Sequence, residues 1–301
     1  MDNTTFIDRC SYLGASDAPA ALGLSKWKTP VQLWLEKTGQ VPPGESSIPM
    51  RLGNYIEPLV LDLFEERTGK AVGSRQAELS DPMDPWRRAH IDGLTEDGEI
   101  VEAKTAGMIF LSDNSGWGEE GTDEIPDPYI VQIMHQFSLI PHATIAWLPV
   151  LLRGDFRIYR VDRNEYLIGE IVHREQNFWR QVVERERPAP ITVEDLHLLF
   201  PDSTEEAVVA SDEIFADVRQ LMHTKKSIKI LEAMEKDLAM KVKAYMGEAG
   251  LLHYQGEKIA SWKTQTNNRL NMDDFKTEQP EMYKAYLKTG TSRVLRLSKG
   301  E

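Results

Sequence analysis

The sequence predicts an α/β fold with a smaller α+β extension at its C-terminal side. Three observations lead there. Along the first 190 residues, apolar stripes at helical spacing alternate with short apolar runs, the pattern of a sheet covered by helices. Pro188-Ala189-Pro190 then interrupts the pattern and sets a boundary. Helix and strand signals resume beyond it with a different charge balance. The expected organisation is a first domain over 1–190, a linker over 191–210 and a helical plus small-sheet extension over 211–301.

The first clear helix is Pro30–Lys37, with proline at its start and Gly39 just past its end. After a loop over 40–49, a second helix runs to Thr68 and stops at Gly69. Its stripe is Leu52, Ile56, Leu59, Val60, Leu63 and Phe64. Pro58 either begins that helix or kinks it, and Glu57 lies beside the stripe. Residues 70–80 read as a strand, and Arg88–Thr95 and Glu99–Thr105 as two more joined through Glu96-Asp97-Gly98. Residues 112–128 carry six acidic and no basic side chains with Gly and Pro, which marks an exposed loop. A helix over Tyr129–Leu139 follows, then a hairpin of Thr144–Leu152 and Phe156–Val161 turning at Arg153-Gly154-Asp155. A long helix over Asn164–Arg187 closes the first domain. In the extension, the pattern predicts one or two helices over Asp212–Glu248 and a hairpin over Leu251–Trp262 turning at Gln255-Gly256. It also predicts a helix over Asp274–Lys288 and a last strand over Arg293–Leu297.

Composition narrows the function classes. The 301 residues are 41% hydrophobic, ample for a core, and no stretch reaches the ~18 consecutive apolar residues of a membrane span. The beginning, MDNTTFIDRC, lacks the basic and apolar segments of a signal peptide, so a cytoplasmic setting is expected. The single cysteine, Cys10, excludes an internal disulfide and any Cys-built zinc or iron–sulfur centre. Net charge is −13, and all of the excess lies in the first two hundred residues, where 32 acidic face 19 basic side chains. That balance argues against a generic polyanion binder. A site holding divalent cations removes the objection.

The informative stretch is His90-Ile91-Asp92-Gly93-Leu94 followed by Glu102-Ala103-Lys104. Residues two apart on a strand share a face, so Glu102 and Lys104 point the same way. If Glu96-Asp97-Gly98 is a three-residue turn with Gly in the left-handed position, Thr95 pairs with Glu99 and Asp92 lies across from Glu102. Two opposed carboxylates repel, and a divalent cation between them reverses that term. Oxygen ligands without His or Cys favour Mg²⁺, with Mn²⁺ as a substitute. Lys104 beside the pair is placed to orient or deprotonate a water, or to neutralise developing charge. On spacing alone, an ordinary charged surface hairpin is the better explanation of the pattern.

The arrangement resembles the PD-(D/E)xK nuclease signature, and the likeness extends along the domain. Residues 13–25, LGASDAPAALGLS, with Trp27, Thr29-Pro30 and Leu33-Trp34, resemble the opening motif of the YqaJ-like viral recombinases, a family that includes the lambda-type exonucleases. Gly53-Asn54-Tyr55-Ile56-Glu57-Pro58 resembles their second motif, Asp92-Gly93-Leu94 with Glu102-Ala103-Lys104-Thr105 the third, and Tyr129-Ile130-Val131-Gln132 the fourth. The resemblance implies a restriction-endonuclease-like fold, a central mixed β-sheet flanked by helices. It implies Asp92, Glu102 and the Ala103 carbonyl as metal ligands, Lys104 as catalytic lysine, and Glu57 and Gln132 completing the site. It also implies Arg9 and Ser16 as binders of a 5′-phosphate, on their seven-residue spacing.

Each has a plainer reading. Ser16 precedes Asp17-Ala18-Pro19-Ala20 and is equally suited to cap a short helix. Arg9 reads as a solvated charge, Glu57 as a helix-edge carboxylate, Gln132 and Gln136 as one polar face, and His90 as a satisfied strand histidine. By resemblance the function is 5′-to-3′ degradation of double-stranded DNA ends, leaving 3′ single strands for recombination. The implied assembly is a ring of three, and the implied partner a single-strand annealing protein. The alternatives are an endonuclease of the same fold and a non-catalytic DNA-binding module. Basic residues interleaved with Trp262 and tyrosines in 251–301 suit either contact with single-stranded DNA or packing of a small extension.

Overall fold

The computed structural model describes residues 9–42, 44, 47–106, 116–288 and 290–298. The chain divides into two compact units, Met1–Phe200 and Pro201–Glu301. The first unit is built on a seven-stranded mixed sheet. Its strands are β1 (Leu13–Gly14), β2 (Val72–Ser80), β3 (Arg87–Thr95), β4 (Ile100–Val101), β5 (Lys104–Ala106), β6 (Ile145–Leu152) and β7 (Asp155–Asp162). Strand β3 pairs with β2 along one edge, and on the other with β1 at its start and β4 at its end. Strand β6 takes β4 and β5 in parallel on one edge and β7 antiparallel on the other.

Helices cover both faces, as expected of the fold class. Helix α3 (Ile48–Thr68) buries Val60, Leu61 and Phe64 against Val72, Val101, Ala103 and Ile158. Pro58 lies inside this helix, which begins at Ile48 under a Ser47 cap and ends on Gly69 at φ +70°. Helix α4 (Asp127–Leu139) buries Val131, Ile133, Met134 and Phe137 with Ile91, Ile100, Ala146 and Leu148. Helix α5 (Glu165–Glu184) packs on α4. Helices α1 (Ala18–Ala21) and α2 (Pro30–Lys37) contribute Ala20, Val31, Leu33, Trp34 and Leu35 to a third cluster with Phe178 and Val182 of α5.

The boundary expected at Pro188–Pro190 moves to Phe200, because residues 191–200 are not a linker. Helix α6 (Val193–Leu199) belongs to the first unit. Its buried Asp195 accepts bonds from Thr29 Oγ1 at 2.5 Å and from the Ile191 and Thr192 amides. Leu199 completes the cluster around Val31 and Leu33.

The second unit contains one uninterrupted helix, α7 (Asp212–Met246), and a hairpin of β8 (Leu251–Tyr254) and β9 (Glu257–Ser261) turning through Gln255 and Gly256, both at positive φ. The single helix expected over Asp274–Lys288 is two short ones, α8 (Met272–Glu278) and α9 (Pro280–Tyr286). Pro280 brings no amide proton, and Gln279 before it leaves the helical region at φ −131°. The strand expected over Arg293–Leu297 is absent, and these residues pair with neither β8 nor β9. No helix among the described residues is long and apolar enough to cross a membrane.

Candidate active site

The two short strands β4 and β5 replace the one strand expected over Glu99–Thr105, and the break between them builds the site. The turn is as expected: Thr95 donates its amide to the Glu99 carbonyl at 2.9 Å, and Gly98 sits at φ +79°. Pairing then runs Leu94 with Ile100 and Gly93 with Val101. Gly93 is packed so closely that a Cβ there would lie 2.5 Å from Val72 Cγ1. One step further the ladder stops. The Glu102 amide turns to the Trp147 carbonyl of β6 at 2.9 Å, and the Ala103 amide donates to Asp92 Oδ2 at 2.9 Å. Asp92 therefore fixes the backbone of the break while its carboxylate stays next to Glu102.

Glu102 is buried at 3% exposure, and its neighbours explain how a carboxylate survives there. Lys104 Nζ and Gln132 Nε2 each reach Oε1 at 2.5 Å, and Gln136 Nε2 donates to Oε2 at 2.6 Å. Charge-assisted donors of this kind offset the desolvation of a buried anion. Burial, with the charge of Glu102 next, pushes the Asp92 carboxyl up to about 8. Lys104 is held above the ordinary lysine range; burial opposes this, and the charges of Glu102 and Asp92 overcome it. Its ammonium also lies 5.8 Å from the centre of the Tyr129 ring, whose hydroxyl is raised by burial.

Glu57 reaches the cluster from α3. Burial and the charge of Glu102 raise its carboxyl, with Lys104 opposing. Its Oε1 accepts a bond from Gln76 Nε2 of β2. Asp92, Glu102, Lys104, Glu57 and Gln132 are thus brought together. Gln136, read from sequence as half of a polar helix face, is instead fully buried against Glu102, and its Oε1 has no partner among the described residues. His90 is an exposed strand residue opposite Glu78.

Arg9 and Ser16 are placed elsewhere in the first unit. Both are exposed, and Asp17, not Ser16, occupies the cap position of α1, without a side-chain bond. The buried Lys37 ammonium ties this corner together, donating to the Arg9 carbonyl at 2.9 Å and to Asp17 Oδ2 at 2.7 Å. Lys37 lowers the Asp17 carboxyl against the cost of burial, and Arg9 adds to the effect. Among the described residues no hydrogen bond or ion pair joins Arg9 or Ser16 to the carboxylate cluster.

The sequence reading missed a buried network behind α4. His135 Nδ1 lies 2.7 Å from Glu175 Oε1, and Nε2 lies 3.0 Å from the Arg88 carbonyl. Both facing atoms are oxygen acceptors, and the two contacts fix the plane and position of the ring. Glu175 also receives Arg87 Nε at 3.1 Å, and Arg87 continues to Asp81 at 2.8 Å and Ser138 at 2.5 Å. This network joins β3 and α4, the elements that carry Asp92, Gln132 and Gln136, to α5. Its only sequence signal was His135 and Glu175 at buried positions of two amphipathic helices.

Residues 6–140 match the YqaJ-like viral recombinase domain. Over 287 residues the chain is 32% identical to the uncharacterized protein YqaJ of Bacillus subtilis (strain 168), covering 92% of this chain and 88% of that protein. The chain belongs to the YqaJ-like viral recombinase family. Among solved structures it is similar to the alkaline exonuclease LHK-Exo of Laribacter hongkongensis, at 16% identity and a TM-score of 0.46. That match covers 61% of this chain and 94% of the other. A putative exonuclease from Eubacterium rectale matches at 13% identity and a TM-score of 0.46, covering 70% and 96%. The family match spans Glu57, Asp92, Glu102, Lys104, Gln132 and Gln136.

The donor set suits a hard divalent cation. Among the described residues no group of three or more His, Cys, Asp or Glu is arranged as a metal site. Mg²⁺ does not need one: it keeps several waters and binds through one or two carboxylates plus substrate phosphate. Asp92 and Glu102 with the Ala103 carbonyl supply that number of oxygens. A carboxyl pushed up to about 8 by burial and an adjacent anion is the electrostatic mark of a place where positive charge is wanting.

Proposed function

We propose that this chain is a Mg²⁺-dependent deoxyribonuclease acting 5′ to 3′ on double-stranded DNA ends and leaving 3′ single strands for recombination. The observation that carries the reading is the break between β4 and β5, which gathers Asp92, Glu102 and Lys104 around one point. Asp92, Glu102 and the Ala103 carbonyl would hold the ion, with Mn²⁺ as a substitute. When bound, it neutralises charge on the scissile phosphodiester.

The chain's own groups do the rest. Lys104 is kept protonated by its two acidic neighbours, so it serves as a fixed positive charge toward the phosphate and as a donor that orients the attacking water. Gln132 and Gln136 clamp both Glu102 oxygens and hold that carboxylate in one orientation. Glu57 adds a third carboxylate at the mouth, placed to accept a proton from a water there. Arg9 and Ser16, at the corner organised by Lys37 and Asp17, are assigned to the 5′-phosphate on the motif resemblance. The same resemblance supports a ring of three subunits, a single-strand annealing partner and a cytoplasmic setting.

The test is digestion of linear duplex labelled at either 5′ or 3′ ends, beside covalently closed circular DNA, with Mg²⁺. The reading expects early release of 5′ label, retention of 3′ label and an untouched circle. Cutting of the circle would show an endonuclease instead. Retention of DNA without cleavage, in either Mg²⁺ or Mn²⁺, would show a binding module.

A further inference from the structure

Strand β2 contains a residue whose backbone is out of place. Gln76 has φ +59°, a left-handed conformation that costs an ordinary side chain energy and persists only where the surroundings impose it. It sits between the ladder pairs Arg75 with Gly93 and Ala77 with Ile91, which sets it beside Asp92 of β3. Gln76 is exposed, so no core packing holds it in this state. The one side-chain bond described for it is donated by Nε2 to Glu57 Oε1. Glu57 Oε2 has no hydrogen-bond partner among the described residues. A strained residue, at the strand position next to one carboxylate and bonded to a second, is arranged to serve those carboxylates.

We propose that Gln76 is a positioning residue, its left-handed backbone aiming the side-chain amide so that Glu57 is held with one oxygen turned toward the Asp92–Glu102 cluster, where a divalent cation is taken up; this rests on the nuclease reading above. The bond removes rotamer freedom from Glu57, which stands at the exposed end of the cluster and would otherwise sample solvent. Gln76 touches neither substrate nor ion and acts through Glu57. Glycine at this position would suit the backbone better, so the presence of a glutamine reflects its amide.

That contrast supplies the test. Gln76→Gly relieves the backbone and removes the amide; Gln76→Asn tolerates the left-handed conformation but is one methylene too short to reach Glu57. The measurements on the EDTA-stripped full chain are thermal melting and calorimetric titration with Mn²⁺ in the absence of DNA, with the Mg²⁺ concentration for half-maximal cleavage read separately. Gln76→Gly is expected to melt at or above the wild type, yet to bind Mn²⁺ about five-fold more weakly, the worth of one net hydrogen bond. The Mg²⁺ midpoint should rise by the same factor, and Gln76→Asn should behave alike. Added to Glu57→Gln, Gln76→Gly should weaken Mn²⁺ binding no further. Wild-type Mn²⁺ affinity and Mg²⁺ midpoint in both Gln76 variants would overturn the role of Gln76 while leaving the nuclease reading intact. A wild type that takes up no Mn²⁺ and cleaves no DNA would overturn both.

Discussion

Asp92→Asn should stabilise the metal-free protein, by an amount that grows with pH. In the folded chain the Asp92 carboxyl is pushed up to about 8, by burial first and by Glu102 next, whereas its ordinary value is 3.8. A folded-state value above the unfolded one means that the native state holds a proton which the unfolded chain releases. Stability from this group is therefore full below about pH 4 and is lost as pH rises toward 8. At ~1.4 kcal/mol per pH unit, the loss between those limits has a ceiling of ~6 kcal/mol. Asp92 is only partly buried, and water reaching it reduces the cost, so the working expectation is ~2–3 kcal/mol at pH 8. Asparagine keeps an oxygen for the Ala103 amide and carries no charge, so it isolates the electrostatic part. The assay is urea unfolding of both proteins in EDTA at pH 5, 6.5 and 8. The gap in favour of Asp92→Asn should be smallest at pH 5 and widest at pH 8. Saturating Mn²⁺ should close or reverse it, since only the wild type retains both carboxylates. A gap that stays constant across this range, or a variant less stable than the wild type at pH 8, would refute the reasoning.

Other expectations follow from the same geometry. Glu175→Gln takes the buried anion from between Arg87 and His135, leaving Arg87 with Asp81 alone, and should cost ~3–5 kcal/mol in urea unfolding at pH 7. The Glu175 carboxyl is lowered by His135 and Arg87 against the cost of burial, so its stabilisation is complete above the ordinary glutamate range. The difference between wild type and variant should then shrink as pH falls below ~4. Gly93→Ala forces a methyl to within 2.5 Å of Val72 Cγ1 and should destabilise the first unit by ~1–3 kcal/mol, measured by thermal melting. Lys104→Met removes the fixed charge and should slow single-turnover cleavage by ~10²–10³-fold while leaving duplex binding nearly unchanged.

Much of this fold was legible because its elements announce themselves locally. The capped helix at Pro30–Lys37, the Gly69 stop, the Arg153-Gly154 turn and the Thr95–Glu99 register all depend on neighbours in sequence, and the structure shows each of them. What escaped was decided by contacts distant along the chain. Residues 191–200 look like a linker until Asp195 meets Thr29, 166 positions away. Glu102 and Lys104 read as one strand, but the competing pull of β6 through the Trp147 carbonyl breaks the ladder at Glu102. Gln136 shows no sign in sequence of being buried against a carboxylate, and no local rule places Gln76 in a left-handed backbone. Arg293–Leu297 has the composition of a strand but joins neither sheet among the described residues. The carboxylates and lysine of the site were visible as a spacing; the groups that orient them were not.

The most direct test that Glu102 stands at the catalytic centre is the single-turnover cleavage rate of Glu102→Gln on 5′-labelled linear duplex with Mg²⁺. Glutamine preserves the size of the side chain and removes the charge at the centre of the Asp92, Lys104, Gln132 and Gln136 contacts. The expected result is a loss of at least ~10³-fold in rate, with the protein still folded and still binding the duplex. Cleavage by Glu102→Gln within ten-fold of the wild type would contradict it, and would move the chemistry away from the break between β4 and β5.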